Sequence, residues 1–211
     1  MKTFDMTDST TTESAAHQPF YKHRSFVVAA VVAIVAVITV LTDLPQHQSR
    51  SAQVSAANGV VSEINADVGP CSYAVGEAIT VYGDLTAKSL TRSQLGQVPG
   101  LLNDDQNACS FVNDSIYQLS TIDPPGGSAG KDVGQLIGTV TLWATSDALS
   151  AIESIQTLST KPGDATASAH LTQAEQGLRS DYDQAQAEIG AADRLLDARI
   201  TSVDLDKTPV G

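Results

Sequence analysis

Apolar residues follow two patterns along this chain. The first is a block. Residues 26–41 (FVVAAVVAIVAVITVL) contain no charge and one polar side chain, Thr39. With Ser25, Thr42 and Leu44 the stretch extends over 25–44, which as a helix spans roughly 30 Å, the thickness of a bilayer core. A helix in lipid keeps its backbone hydrogen bonds internal, so the Val and Ile content is no obstacle. The block predicts a single N-terminal transmembrane helix.

The second pattern is periodic and begins after the polar segment 45–52. Val54, Ala57, Val61, Ile64 and Val68 recur at spacings of three and four, the helical period. Gly69-Pro70 interrupts, and Ala74, Ala78, Tyr82 (or Val81) and Leu85 continue the stripe, with Asp84 and Lys88 spaced as an i,i+4 pair. Pro99-Gly100 marks the next break. Leu102, Asp105, Cys109, Val112, Ile116, Leu119 and Ile122 form a further stripe, closed by the loop sequence at 123–130. A long helix is expected over 132–159 with Val133, Ile137, Val140, Ala144, Ala148, Ile152, Ile155 and Leu158 on its face, ended by Lys161-Pro162-Gly163-Asp164. The last stripe is the most regular, from Leu171 through Ala174, Leu178, Tyr182, Ala185, Ile189, Ala192, Leu196 and Ile200 to Val203. No alternating strand pattern occurs. The fold class is therefore all-α: a transmembrane helix followed by an antiparallel bundle of about four helices, the first broken near Gly69-Pro70. Small Ala residues at many of the core positions imply a slim, closely packed core.

This patterning divides the chain into a disordered cytoplasmic tail (1–24), the membrane helix (25–44), a juxtamembrane linker (45–52), the bundle (53–204) and a disordered C-terminal tail (205–211). The first 24 residues are rich in Ser and Thr and too poor in large apolar residues to offset the entropy of ordering. Lys22, His23 and Arg24 abut one end of the apolar block and only His47 and Arg50 follow the other, which orients the N-terminus to the cytoplasm. The nearest small-x-small site, Val54-Ser55-Ala56, lies well beyond the block and after Pro45, so an uncleaved signal anchor is expected rather than a cleaved signal peptide. No Cys follows the block closely, which argues against a lipoprotein. Ser25 and Ala30 stand where a pilin-like segment carries Gly or Ala and a Glu, which argues against that reading.

Charge sharpens this division. The chain holds 24 acids against 12 bases, a net −12. The tail is balanced, and residues from Asp43 onward carry 21 of the acids and 9 of the bases, hence the whole imbalance. A nucleic-acid partner needs a basic footprint that this part lacks. An anionic membrane surface repels it, so the bundle is expected to stand off on its linker. Of the two cysteines, Cys71 and Cys109 fall on apolar faces of successive helices in the part expected outside the cytoplasm, where pairing is favoured. A disulfide Cys71–Cys109 is expected.

Catalytic and metal motifs are scarce. Gly126-Gly127-Ser128-Ala129-Gly130 matches the G-x-S-x-G nucleophile elbow, but Pro124 and Pro125 exclude the buried strand such an elbow needs, and His170 is the only distal histidine to serve as base. Asn103-Asp104-Asp105-Gln106-Asn107 resembles a calcium loop only at a glance, since Ala108 and Asp114 stand where an EF-hand needs Gly and Glu. Asp181 with Asp183, and Asp193 with Asp197, read as a solvated helix face beside Arg179, Arg194 and Arg199. No HExxH, Cys/His cluster, phosphate loop or dinucleotide fingerprint occurs, so no catalytic residue, metal or cofactor is expected. Abundant Ala and few Lys suit a GC-rich bacterial genome, in which the sequon Asn113-Asp114-Ser115 has no role. Ala29 and Ala33, spaced small-xxx-small, leave membrane-helix pairing and homo-oligomerisation open.

The expected function is a non-enzymatic, single-pass cell-membrane protein that presents an acidic extracytoplasmic bundle as an interaction or scaffolding module, with another envelope or membrane protein as partner. The alternative is a ligand-sensing helical domain, which calls for a groove lined by Tyr73, Tyr82, Tyr117 or Trp143.

Overall fold

The structure, a computed structural model, describes residues 48–119 and 125–205. Within them the chain is helical and contains no strand. Four helices form the bundle: α1 (Arg50–Ala87), α2 (Arg92–Leu119), α3 (Gly127–Leu142, continued through a π turn at Trp143–Ala148 into Leu149–Thr160) and α4 (Ala165–Leu196). The apolar block at 25–44 lies outside the described residues. Among the described residues no helix is long and apolar enough to cross a membrane.

Local chemistry sets the helix ends. The Ser49 hydroxyl accepts from Ala52 N–H and starts α1 within what the pattern read as linker. Lys88 closes α1 in the left-handed conformation (φ 55°), and Ser89 N–H bonds back to Asp84 C=O at 3.0 Å. The Asp84 carboxylate takes the Ser89 hydroxyl at 2.7 Å. Thr91 and Gln94 then form a capping box: Gln94 Oε1 accepts from Thr91 N–H at 2.9 Å, and Thr91 Oγ1 accepts from Gln94 N–H at 3.4 Å. Asp164 Oδ1 accepts from both Thr166 and Ala167 N–H at 3.0 Å and opens α4.

Neither predicted proline break occurs. α1 passes through Gly69-Pro70 and α2 through Pro99-Gly100, and the reversal between them falls at 88–91. A proline removes one N–H, and with it the bond to the carbonyl four residues back. Pro70 and Ala66 are both exposed, so that carbonyl faces water, which can satisfy it. Packing holds the two sides in line: Val60, Val61, Ile64 and Val68 before the proline, and Cys71, Ala74, Val75 and Ala78 after it, are all at most 2% exposed. The third helix likewise begins earlier than the loop sequence suggested, at Gly127.

α3 is the central helix. It packs on α4 along its length, on α2 chiefly through its second half, and on α1. Ile137, Val140, Trp143, Ala144, Ala148, Ile152 and Ile155 are buried in one continuous core. Thr141 and Thr145 donate their hydroxyls to the Ile137 and Thr141 carbonyls at 2.6 and 2.7 Å, back-bonding that flanks the π turn.

α4 ends at Leu196 with Asp197 left-handed (φ 42°). Ile200 and Val203, read as the end of the last helical stripe, are buried in a non-helical segment, and so is Leu205, read as the head of a disordered tail.

Candidate functional site

Two groups of carboxyls sit where burial alters their chemistry. The first is a seam between α3 and α4. The π turn presents Asp147 to α4 at Gly177, where a Cβ would collide with the Asp147 carboxylate. One turn along α4, Asp181 is hydrogen-bonded to Asp147. Burial lifts the Asp181 carboxyl above the ordinary range, and the bond to Asp147 offsets part of the rise. Two turns further, Glu188 is buried: its Oε1 accepts from Thr139 Oγ1 and Gln184 Nε2, each at 3.0 Å, while Oε2 has no partner. Burial raises the Glu188 pKa, the two hydrogen bonds lower it, and the charges of Asp132 and Asp181 raise it. Asp132 is raised by burial against the lowering effect of Arg194.

The second group lies where α2 meets α1. Asp105 is 5% exposed with Oδ2 unpartnered. Burial first, then the charges of Glu77 and Asp104, push its pKa up to about 7. The adjacent Gln106 Nε2 donates to Glu153 Oε1 of α3 at 3.1 Å.

Asp105 gives the bundle a defined pH dependence. The folded chain keeps this proton up to about pH 7, whereas the unfolded chain releases it near 3.8. Between those values the folded state binds more protons. The contribution is complete below the lower value and is lost as pH rises through the upper one. Asp105→Asn flattens this fall and is more stable than the parent at pH 8, by on the order of 2 kcal/mol. Thermal melts from pH 4 to 8 check it; a parent curve that does not fall across that range contradicts a buried proton at Asp105.

Gly177 carries a second prediction. Alanine is the better helix former by about 1 kcal/mol, yet Gly177→Ala loses about 1–2 kcal/mol because its methyl drives Asp147 off α4. In an Asp147→Ala background the same substitution turns neutral or stabilising, which a double-mutant cycle in urea measures.

The predicted disulfide is present: Cys71 of α1 and Cys109 of α2 are paired, with sulfurs 2.04 Å and Cα atoms 4.4 Å apart. Ser128 lies exposed in the first turn of α3 and His170 exposed near the start of α4. Residues 103–107 are helical and form no loop. Among the described residues no group of three or more His, Cys, Asp or Glu is arranged to hold a metal ion. Of the acids read as a solvated face, Asp183 is exposed, and the other three have specific partners. Asp181 meets Asp147, Asp193 Oδ1 accepts from Ile200 N–H at 2.7 Å, and Asp197 pairs with Arg50 at 2.7 Å. Trp143 is fully buried, with Nε1 unpartnered, and Tyr73 is 73% exposed, so these two aromatics share no groove. The side chain of Tyr117 lies outside the described residues.

Compared with protein families, curated proteins and solved structures, the chain matches none.

Proposed function

We infer that this protein is a non-enzymatic, single-pass cell-membrane protein, and that its bundle stands outside the cytoplasm as an interaction or scaffolding module for another membrane or envelope protein. The observation that carries this reading is the Cys71–Cys109 pair in the bundle, downstream of an uncharged block at 26–41 with a basic flank at Lys22–Arg24. A paired disulfide in a helical domain suits an oxidising compartment, and the block supplies the means of reaching it. The buried carboxyls lie in the seams between packed helices, and the hydroxyl beside Glu188, that of Thr139, is itself buried, which suits a binding rather than a chemical role. Tyr73 and Phe111, two residues beyond each cysteine, are 73% and 68% exposed and offer apolar contact area.

Topology is tested with single introduced cysteines and a membrane-impermeant maleimide in intact cells. Thr208→Cys is modified and Ser9→Cys is not; the opposite result overturns the orientation. The interaction role is tested with a photo-crosslinking side chain at Tyr73 or Phe111. It gives adducts to a membrane or envelope protein, and no adduct from either position overturns the scaffold reading.

A further inference from the structure

Residues 198–205 leave α4 and run without helix or strand over the place where α1 and α4 hardly touch one another. Ile200, Val203 and Leu205 enter the core there and are at most 5% exposed. The backbone of this segment is held by side-chain amides. Asn58 Oδ1 accepts from Thr201 N–H at 2.8 Å and from its hydroxyl at 3.0 Å. Asn65 Nδ2 donates to Ser202 C=O at 3.0 Å, and its Oδ1 accepts from Asp204 N–H at 2.9 Å. Gln186 Nε2 of α4 donates to Val203 C=O at 3.3 Å. Asn58 and Asn65 lie two turns apart on one face of α1. Amides that both donate to and accept from a peptide backbone do the work of a neighbouring strand, while the three apolar side chains supply selectivity.

Asp193 ties this segment to its own helix, its Oδ1 accepting from Ile200 N–H at 2.7 Å and its carbonyl from Ala198 N–H at 3.2 Å, and Arg50 of α1 braces the hinge between them. Arg50 Nε donates to Leu196 C=O at 2.5 Å, and its guanidinium also bonds the carbonyl and carboxylate of Asp197. Those two side chains are 58% and 90% exposed, where an ion pair contributes little. Asp197 itself holds a left-handed backbone (φ 42°) that a non-glycine residue occupies at a cost.

We propose that the α1–α4 groove is an exchangeable peptide site whose other ligand is residues 198–205 of a second copy of this chain, giving a reciprocally strapped dimer. The second copy is the occupant because its segment already fits every amide and apolar position in the groove. Exchange repeats those contacts, changes only the hinge, and frees Asp197 from its left-handed conformation. Like charge opposes it: each copy carries a net −12, so salt that screens this repulsion favours the dimer. The proposal goes beyond the scaffold reading and does not depend on membrane anchoring.

The test uses the full chain with Asn58→Cys and Thr201→Cys, oxidised and run on a non-reducing gel. A link within one chain leaves a monomer; a link between chains gives a covalent dimer. The expected result is a dimer band that grows with protein concentration and with salt. It grows about fivefold further with Asp197→Pro, whose ring forbids a positive φ, and shrinks with Asp197→Gly, which accepts one. A monomer link at every concentration, unmoved by Asp197→Pro, overturns the proposal. So does an equal dimer band from either single-cysteine chain, which signals collision, and so does the absence of any link. Hydrogen exchange at Thr201 and Asp204 in the parent chain is a second readout. Protection unchanged between dilute and concentrated samples of proven monomer and dimer content is required, because both forms make the same bonds; loss of protection in the dimer also overturns it.

Discussion

Trp143→Ala lowers the stability of the bundle by about 3–5 kcal/mol, among the largest losses any single side chain here can produce. Trp143 is fully buried and sits at the start of the π turn, where α3 meets α1, α2 and α4 together. Alanine leaves a cavity that three helices would have to move jointly to fill. Trp143→Phe loses much less, within about 2 kcal/mol, because it keeps most of the apolar volume and removes an indole N–H that has no partner. Urea titrations followed by circular dichroism give both values. Alanine and phenylalanine variants of equal stability would show that the site is not closely packed. Trp143 is the only tryptophan in the chain, so parent fluorescence follows the same core directly and shifts to the red when the helices part.

Removal of the disulfide has an effect of similar size and a different origin. Cys71 and Cys109 are 38 residues apart, and opening a loop of that length returns entropy to the unfolded chain worth about 4 kcal/mol. For a domain of this size the melting temperature falls by roughly 8–16 °C in the Cys71→Ala/Cys109→Ala variant. Calorimetry with and without reductant separates this from lost packing. Reductant lowers the parent melt and leaves the variant unchanged. A variant that melts with the parent under oxidising conditions contradicts a stabilising bridge. Because α1 continues through Pro70, the bridge joins the middle of one long helix to the middle of the next, and so braces the part of α1 where a backbone hydrogen bond is missing.

Much of this fold is legible in the spacing of apolar residues. The stripes of α3 and α4 reappear as buried faces, and two cysteines on successive stripes do meet. The prolines mislead because packing overrides the local rule: Pro70 and Pro99 interrupt hydrogen bonding, but core contacts on both sides of Pro70 carry α1 through. The true start of α2 has its own signal in Thr91-x-x-Gln94, a capping box that the proline eclipses. The π turn is legible too. Val140, Ala144, Ala148 and Ile152 follow one another in three steps of four, 12 residues where three α-helical turns hold about 10.8. One wider turn absorbs the surplus and keeps all four buried. The carboxyl seam is harder to find. Asp181 and Glu188 read as part of the polar face of α4, and the partner of Asp181 is an Asp from another helix, set opposite a glycine. The C-terminal segment is hidden by coincidence, since Ile200 and Val203 continue the spacing of α4 after its helix has ended.

The C-terminal segment also fixes an order of events in folding. α1 and α2 meet across a turn of four residues, as do α3 and α4, so both hairpins form from neighbouring sequence. The bond between Asn58 and Thr201 joins residues 143 apart. A contact of that span closes a loop as long as the bundle itself and gains nothing until both hairpins are in place. Residues 198–205 are thus the last part of the bundle to be seated, and every folding molecule passes through a stage in which its helices are assembled and one seam between them is bare.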